Sequence, residues 1–240
     1  MSDNMRVISS VIVHGNKAVQ SVEWQIARPL GSVRSVLEAM DRYELDEILL
    51  LNARRDSVGD EDFAFLAEMR DADIMTPLAV GGGVRTFARF EEIYRYGIER
   101  VCLTSALLLE QRALLQRIQS VIGLQGVVGF LPYKSIEGEV WVFNPAANGF
   151  TKLTSSMLSF FDEFCDEIIF HNVLEDGRRS SLDPQVLLDS IAVEKAGVIL
   201  SGGIKVDQIT EMKARYAGAA SAIAIENCLS FYEQPLKMEL

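Results

Sequence analysis

Two glycine-rich segments of this sequence have residue types and a spacing that suggest ligand binding. The run Leu78–Arg85 passes from apolar residues through three glycines to a cation, and Val198–Lys205 repeats that order, with Gly82 and Gly202 120 positions apart. Glycine lets a ligand approach the main chain closely, and N–H groups at a helix N-terminus attract an anion. The paired turns therefore predict two phosphate sites and a ligand with two phosphates, although tight strand-to-helix turns without a ligand share the pattern.

The internal repeat extends beyond the glycines, which indicates that the chain is a duplicated half. At the same offset, identical residues recur within similar local patterns: Asp46-Glu47 and Asp166-Glu167, Asn52 and Asn172, Tyr96 and Tyr216. No linker-like segment divides the chain. We predict a single domain over residues 1–240, made of two halves at about 1–120 and 121–240.

Short apolar runs alternate with amphipathic stretches, which is typical of parallel strands joined by crossover helices. The predicted strands are Val7–Val13, Glu47–Asn52, Leu78–Gly81, Arg100–Thr104, Val127–Leu131, Glu167–Asn172, Gly197–Ser201 and Ala222–Ile225. The predicted helices are Val33–Tyr43, Phe63–Ala72, Phe87–Tyr96, Glu110–Ile122, Met157–Cys165, Asp183–Val193 and Val206–Tyr216. Eight such units with an internal repeat favour a closed (β/α)8 barrel, the TIM barrel of the α/β class, over an open sheet.

Two segments are less regular than the rest. Gln20–Ser32 is predicted to be a long loop, and Lys134–Thr154 is predicted to contain a small hairpin that turns at Glu137-Gly138. Both follow strands at the end where such barrels carry their active-site loops, although long loops are also tolerated without function.

Composition narrows the class of protein. The net charge of −11 argues against a nucleic-acid partner, so phosphate binding must be local, through backbone amides and cations such as Arg85 and Lys205. Three cysteines without paired spacing, Cys102, Cys165 and Cys228, indicate a reduced, cytoplasmic protein without a zinc site. We found no signal peptide, membrane-spanning run, cofactor motif or metal motif, and expect no cofactor and no membrane association.

Several of these runs in combination resemble the cyclase subunit of imidazole glycerol phosphate synthase and its relative, the barrel isomerase of histidine biosynthesis. The runs are Asp46–Leu51, Pro77–Arg85, Val101–Ala106, Asp166–Ile169, Glu175–Gly177 and Ser201–Gly203, within a resemblance that spans Arg6 to Phe231. It implies a half-barrel duplication and a ligand with a phosphate at each end. The implied phosphate-binding positions are Gly82, Gly83, Thr104 and Ser105 in the first half, and Asp176, Gly177, Gly202, Gly203, Ile225 and Glu226 in the second. The family has small residues at the last two, so the Glu226 carboxylate would repel a phosphate there.

The larger departure concerns proton transfer. The cyclases use two aspartates as general acid and base, and the corresponding positions here are Ile12 and Pro132, which carry no titratable group. A lysine and a carboxylate of the family correspond to Gln20 and Asn52. His171, at the end of a strand on the same face, is the one candidate replacement, although a lone histidine is more often a hydrogen-bonded polar residue.

Charged residues mark the opposite mouth of the predicted barrel. Arg6, Glu47, Arg100 and Glu167 stand at or near the starts of four strands. In the resembled cyclase these positions form a charged gate for ammonia, which a glutaminase docked on that face supplies. The alternative is a salt-bridged plug that serves stability. Glu99, beside Arg100, is predicted to lie in the partner interface.

Three hypotheses of function remain open at this stage. The first is a divergent synthase subunit that pairs with a glutaminase and channels ammonia, for amidation of a surface-polysaccharide sugar or a related phosphorylated substrate, with a sugar amidotransferase as a further partner. The second is a genuine imidazole glycerol phosphate synthase cyclase of histidine biosynthesis, a lyase. The third is a non-catalytic phosphate-binding scaffold. We favour the first, because the gate residues are present while both aspartates are absent.

Overall fold

The computed structural model describes residues 5–24, 26–53, 63–70, 72–145, 147–178 and 182–226; Cys228 and Phe231 lie outside them. The strands are β1 (Arg6–His14), β2 (Lys17–Val22), β3 (Ile26–Ser32), β4 (Glu47–Asn52), β5 (Leu78–Gly81), β6 (Arg100–Leu103), β7 (Val127–Ile136), β8 (Glu139–Asn144), β9 (Gly149–Lys152), β10 (Glu167–Asn172), β11 (Gly197–Ser201) and β12 (Ala222–Glu226). The helices are α1 (Val33–Asp41), α2 (Phe65–Arg70), α3 (Phe87–Arg95), α4 (Ser105–Leu108), α5 (Arg112–Ile122), α6 (Ser155–Phe164), α7 (Gln185–Ser190) and α8 (Ile209–Tyr216), with 3-10 turns at Leu124–Gly126 and Val206–Gln208.

Eight of these strands form a closed parallel barrel, which confirms the predicted TIM-barrel fold. Their order is β1-β4-β5-β6-β7-β10-β11-β12, and β12 pairs back with β1. All eight predicted strands are present, with ends that differ by a few residues, most at β7, which runs on to Ile136. The boundary between the halves near residue 120 stays a prediction, because a closed sheet has no seam.

The prediction of an irregular loop over Gln20–Ser32 is wrong. The segment contributes to a hairpin, in which β2 pairs antiparallel with both β1 and β3. The expected second hairpin is present, since β8 pairs antiparallel with β7 and β9, and Glu137 and Gly138 form its turn with positive φ values of 53° and 79°. Pro29 and Gly31 lie within β3 and obscure its alternation, which explains why sequence reasoning missed that strand.

The helices are generally shorter than predicted. A change occurs after β6, where Ser105–Leu108 forms a short extra helix and Glu110 has a φ of 49°, so the next helix begins at Arg112 rather than Glu110. Side-chain caps fix other starts, because the hydroxyls of Ser32, Thr86 and Thr154 each accept an N–H three residues on.

Side chains alternate across the barrel wall, which separates two apolar cores. The outer core fills the space between strands and helices, and the inner core is Ile8, Leu49, Ala79, Cys102, Val128, Phe130, Ile169, Ile199, Ala222 and Ala224. Cys102 is buried in the inner core, and burial raises the pKa of its thiol. In the described part of the chain, no helix combines the length and apolar character needed to cross a membrane.

Candidate functional site

The barrel interior is divided by height, because residues two apart on a strand point to the same side of the sheet. On β10 this places Glu167 at the N-terminal mouth, Ile169 in the middle and His171 at the C-terminal mouth, all buried. The small apolar layer of the inner core separates the two mouths. Each mouth carries its own polar cluster.

The four predicted gate residues meet at the N-terminal mouth in one ion-pair network. Arg100 donates to Glu47 and to Glu167 at 2.7 Å each, and Arg6 pairs with Glu167 and, at 3.5 Å, with Glu47. Ser221 also donates its hydroxyl to Glu167 at 2.7 Å. The side chains of Glu47 and Glu167 are only 5% and 9% exposed, so both carboxylates depend on these partners. We call these four residues the charged ring.

The two acids of the charged ring are held differently. Burial raises the pKa of Glu47, and Arg100 and Arg6 do not fully offset it. Burial acts on Glu167 as well, but hydrogen bonds from Arg100, Arg6 and Ser221 outweigh it and lower the pKa of Glu167. Glu47 Oε1 is also buried without a hydrogen-bond partner among the described residues. Glu167 is therefore the anchored acid of the ring.

An open pocket of about 580 Å³ lies over the charged ring. Arg6, Arg100 and Glu167 form its floor, and exposed Glu99 lines its wall, as does Tyr94, which is 42% exposed. The predicted interface residue thus stands beside the charged ring on the outer surface.

A second cluster occupies the C-terminal mouth and consists of His171, Asp176 and Glu226. The Nδ1 atom of His171 lies 3.0 Å from Glu226 Oε1, and its Nε2 atom lies 3.9 Å from Asp176 Oδ1. Ser201 donates its hydroxyl to Glu226 at 3.2 Å and lies 3.1 Å from His171 Nδ1. We call His171, Asp176 and Glu226 the buried triad, because they are 1%, 0% and 8% exposed.

Electrostatics within the buried triad follow from burial and mutual contact. Burial, followed by the charge of Glu226, raises the pKa of Asp176 to about 7. Burial would lower the pKa of His171, but the neighbouring Glu226 raises it. Burial would likewise raise the pKa of Glu226, but His171 outweighs it and lowers that pKa. The three pKa values are therefore set by contacts within the triad as well as by burial.

The first hairpin closes over the buried triad from the other half of the chain. Ser21 donates its hydroxyl to Asp176 Oδ2 at 2.6 Å, and the backbone N–H of Trp24 reaches the same atom at 3.2 Å. The Trp24 ring stacks on His171 at 5.8 Å between centroids, and Phe130 stacks on it at 5.6 Å. Trp24 has a φ of 60°, which is unusual for a bulky residue and which this docking sustains.

The glycine turns have the geometry expected of close backbone approach. Gly82 and Gly83 have φ values of 84° and 89°, and Gly202 and Gly203 have values of 94° and 77°. Gly177, at φ 66°, lies so close to the first hairpin that a Cβ would meet the Ser21 carbonyl oxygen at 2.2 Å. These conformations account for the glycines without a ligand, so phosphate binding at either turn stays a prediction.

The structure distributes the other predicted phosphate residues unevenly. Thr104 precedes the short helix at Ser105, but its hydroxyl donates to the Phe130 carbonyl oxygen at 2.8 Å. In the second half Asp176 and Glu226 belong to the buried triad, and Ile225 faces the outer core. Two carboxylates therefore stand at the mouth where the resemblance implied a phosphate.

The two positions of the family's catalytic aspartates lie at the same mouth. Ile12 is 8% exposed and pairs with Leu51 across the sheet, while buried Pro132 pairs with His171. The structure thus brings His171 next to one lost acid position.

Sequence reasoning missed the triad as a unit. It considered His171, Asp176 and Glu226 separately, and it did not single out Ser21, Trp24 or Ser201. One signal was available: His171, Ser201 and Glu226 lie at or next to the ends of three consecutive predicted strands, and such ends meet at one face of a barrel.

Comparison with known proteins gives one consistent result. The sequence matches the family described as Histidine biosynthesis protein over residues 6–233. A protein of Parasynechococcus marenigrum that carries the provisional name imidazole glycerol phosphate synthase subunit hisF2 is 27% identical over 81% of this chain and 72% of its own length. A protein of the same provisional name from Pseudomonas aeruginosa is 27% identical over 82% and 80%. The imidazole glycerol phosphate synthase subunit HisF of Lysinibacillus sphaericus is 24% identical over 91% and 88%. With its closed barrel and a match over nearly its whole length, the chain belongs to the histidine biosynthesis protein family.

Proposed function

We propose that this protein is a divergent cyclase-like synthase subunit that receives ammonia from a glutaminase docked at the N-terminal mouth and conducts it through the barrel. The observation that carries the proposal is the charged ring beneath an open pocket. Two buried acids that depend on two arginines are an expensive way to stabilise a barrel end, because apolar packing there would serve as well. A gate gives these charges a use.

The interior above the charged ring suits neutral ammonia. Its middle layer is apolar, with four small residues, Ala79, Cys102, Ala222 and Ala224, among six larger buried ones. A charged ammonium ion would lose its hydration there at a large energetic cost, whereas neutral ammonia would not. The acceptor would be reached at the C-terminal mouth, and we propose an amidated sugar or a related phosphorylated molecule as its class.

The surface around the N-terminal mouth fits a protein partner. Tyr94, Val121 and Leu124 are each 42% exposed, and Tyr94 and Val121 line the pocket together with acidic Glu99. Exposed aromatic and aliphatic groups beside charges are typical of interfaces. We expect a glutaminase to bury roughly 1,200 to 2,000 Å² in total on this face.

The test uses the full-length chain co-expressed with the glutaminase encoded nearest to it. Glu99→Lys should weaken the complex at least about tenfold if the partner presents a cation there, whereas Glu137→Lys, the same charge change at the turn of the second hairpin, should leave it intact. Glu167→Ala should preserve binding but uncouple glutamine hydrolysis from ammonia delivery, because it strands both arginines. If no glutaminase binds, and Glu167→Ala only lowers the melting temperature, the charged ring is a structural plug.

The alternative function is that of a genuine histidine-pathway cyclase, and a rate measurement tests it. With Ile12 and Pro132 at the two acid positions, ammonium-dependent cyclisation should be at least about 10³-fold below that of a competent cyclase. Turnover at an ordinary cyclase rate would refute this expectation and point to His171 or Glu175 as a new base.

A further inference from the structure

The buried triad has a hydrogen-bonding pattern that the ammonia proposal does not use. In each member one polar atom is held by a neighbour. Ser21 holds Asp176 Oδ2, Ser201 holds Glu226 Oε1, and that same oxygen lies 3.0 Å from His171 Nδ1. The remaining atoms, His171 Nε2, Asp176 Oδ1 and Glu226 Oε2, are buried and have no hydrogen-bond partner within the described ranges.

The three unpartnered atoms are two carboxylate oxygens and one imidazole nitrogen, and each can bind a metal ion when it carries no proton. A neutral imidazole carries a lone pair on one ring nitrogen; Nε2 of His171 lies 3.9 Å from Asp176 Oδ1, and Nδ1 lies 3.0 Å from Glu226 Oε1. With the imidazole neutral and both carboxyl groups ionised, this buried site would carry a charge of about −2, and the donors that reach its carboxylates in the described residues are the hydroxyls of Ser21 and Ser201 and the N–H of Trp24. Such a site is costly unless a cation occupies it or protons neutralise it.

We propose that the buried triad binds a divalent transition-metal ion through His171, Asp176 and Glu226. The three residues offer ligand atoms that lie within 4.8 Å of one another. Two ligands at about 2.1 Å from one metal lie roughly 3 to 4.2 Å apart, so small rotations close the site. The ion would also balance both carboxylate charges.

The ligand types and their supports define the class of ion. One imidazole nitrogen with two carboxylates suits Zn²⁺, Mn²⁺ or Fe²⁺, whereas Mg²⁺ and Ca²⁺ prefer oxygen ligands alone. Three protein ligands leave at least one position open for water or an anionic ligand at the C-terminal mouth. The inference is independent of the proposed ammonia transfer.

Calorimetric titration tests the site directly. The metal-stripped full-length protein is titrated with Zn²⁺ and separately with Mn²⁺, and we expect one ion per chain with roughly micromolar affinity or tighter. Asp176→Asn and Glu226→Gln should each weaken binding at least about 100-fold. Glu47→Gln is the matched control, because it neutralises a buried carboxylate at the opposite mouth and should leave metal affinity unchanged. Equal uptake by the wild type and the two triad variants would overturn the proposal.

Histidine NMR decides the case even if a triad variant fails to fold. The chain has only two histidines, and His14 is exposed, so it serves as an internal reference. Zn²⁺ should shift the ring signals of His171 in the wild type at one equivalent and leave those of His14 in place. If His171 does not respond, or if its ring carries two protons in the presence of excess Zn²⁺, protons rather than a metal fill the triad and the proposal is wrong.

Discussion

Asn52 and Asn172 occupy the same place in the two halves of the barrel. A Cβ on Gly82 would lie 2.1 Å from the carbonyl oxygen of Asn52, and a Cβ on Gly202 would lie 2.4 Å from that of Asn172. Each half also extends its first strand into an antiparallel hairpin. The duplicated frame is therefore built from the same backbone contacts twice.

A carboxylate clamp is duplicated too, one residue out of the sequence register. Asp41 accepts hydrogen bonds from Met75 N–H and Thr76 N–H at 3.0 and 2.8 Å. Asp162 accepts three from Glu194–Ala196, at 3.4, 2.8 and 2.7 Å. Both clamps tie the end of a helix to the segment before the second following barrel strand.

The halves differ in what they point into the C-terminal mouth. The first half places Leu51 and Gly81 there, and the second places His171, Ser201 and Glu226. Backbone contacts constrain the frame tightly, whereas an inward side chain at an open mouth has room to change. The difference teaches that the duplicated frame persists while the side chains that the two halves place at the C-terminal mouth diverge.

Alanine substitutions at Gly82 and Gly202 test whether the backbone frames of the two halves are equivalent. Of all the proposed substitutions, they should have the largest effect on the free energy of unfolding. Gly82→Ala and Gly202→Ala should each destabilise the fold by about 4 kcal/mol or prevent folding, because the new methyl group meets backbone at positive φ. Gly97→Ala is the control, at φ 80° with no atom of the described residues within 4 Å of the added carbon, and should cost about 1 kcal/mol. Urea unfolding measures all three. A loss at Gly82 much larger than at Gly202 would break the equivalence.

The charged ring allows the two halves to be compared directly, because it contains Glu47 from one half and Glu167 from the other. Glu167→Gln should destabilise by about 2 kcal/mol, since Arg6, Arg100 and Ser221 lose a charged acceptor, and Glu47→Gln by less than about 1 kcal/mol. Chemical denaturation near neutral pH gives both values. Equal losses would contradict the assignment of Glu167 as the anchored acid.

The same two variants should have opposite pH dependence. The pKa of Glu167 is lowered by folding, so its stabilising contribution is full above the unfolded value of 4.5 and is lost as pH falls through the folded pKa. The pKa of Glu47 is raised, so its contribution is full below 4.5 and is lost as pH rises through the folded pKa. Unfolding of each variant against the wild type, from about pH 2.5 to about pH 8, measures the slopes. Parallel slopes would be inconsistent with the geometry of the ring.

The carboxylate clamps should give a smaller, matched pair of effects. Asp41→Asn and Asp162→Asn should each cost about 1 kcal/mol, because both clamps are largely solvated and their charged hydrogen bonds are screened. Hydrogen bonds from Thr76 chiefly lower the pKa of Asp41, and those from Glu194–Ala196 overcome burial to lower the pKa of Asp162. Both contributions are thus full above 3.8 and disappear as pH falls through the folded pKa values. Thermal melts at neutral and strongly acidic pH would show a persistent loss if this reasoning fails.

Phosphate binding should give the smallest measurable difference between the two halves. We expect sulfate, soaked into crystals of the metal-stripped protein, to occupy the turn at Gly82 and Gly83 beside Ser105, with roughly millimolar affinity. The turn at Gly202 should remain without sulfate, because Glu226 repels it. Density only at Gly202 would reverse the assignment of the two sites.

Much of the fold of this protein could be predicted from its sequence alone. The alternation of apolar strands with amphipathic helices requires parallel pairing, and the 120-residue repeat favours closure into a barrel. The charged ring also followed, because Arg6, Glu47, Arg100 and Glu167 start strands and the starts of parallel strands meet at one mouth. These conclusions rest on local patterns and on rules that hold for every such barrel.

Only the tertiary structure shows that the buried triad forms and that the first hairpin covers it. Ser21 and Asp176 are 155 positions apart, and their contact depends on how the first hairpin folds back over the opposite half. Local propensity carries no information about that docking. Pro29 and Gly31 also give β3 a composition that is typical of a loop. Which atoms of His171, Asp176 and Glu226 are held and which remain unpartnered is set by distances of a few ångströms between side chains from distant segments, and no sequence spacing specifies them.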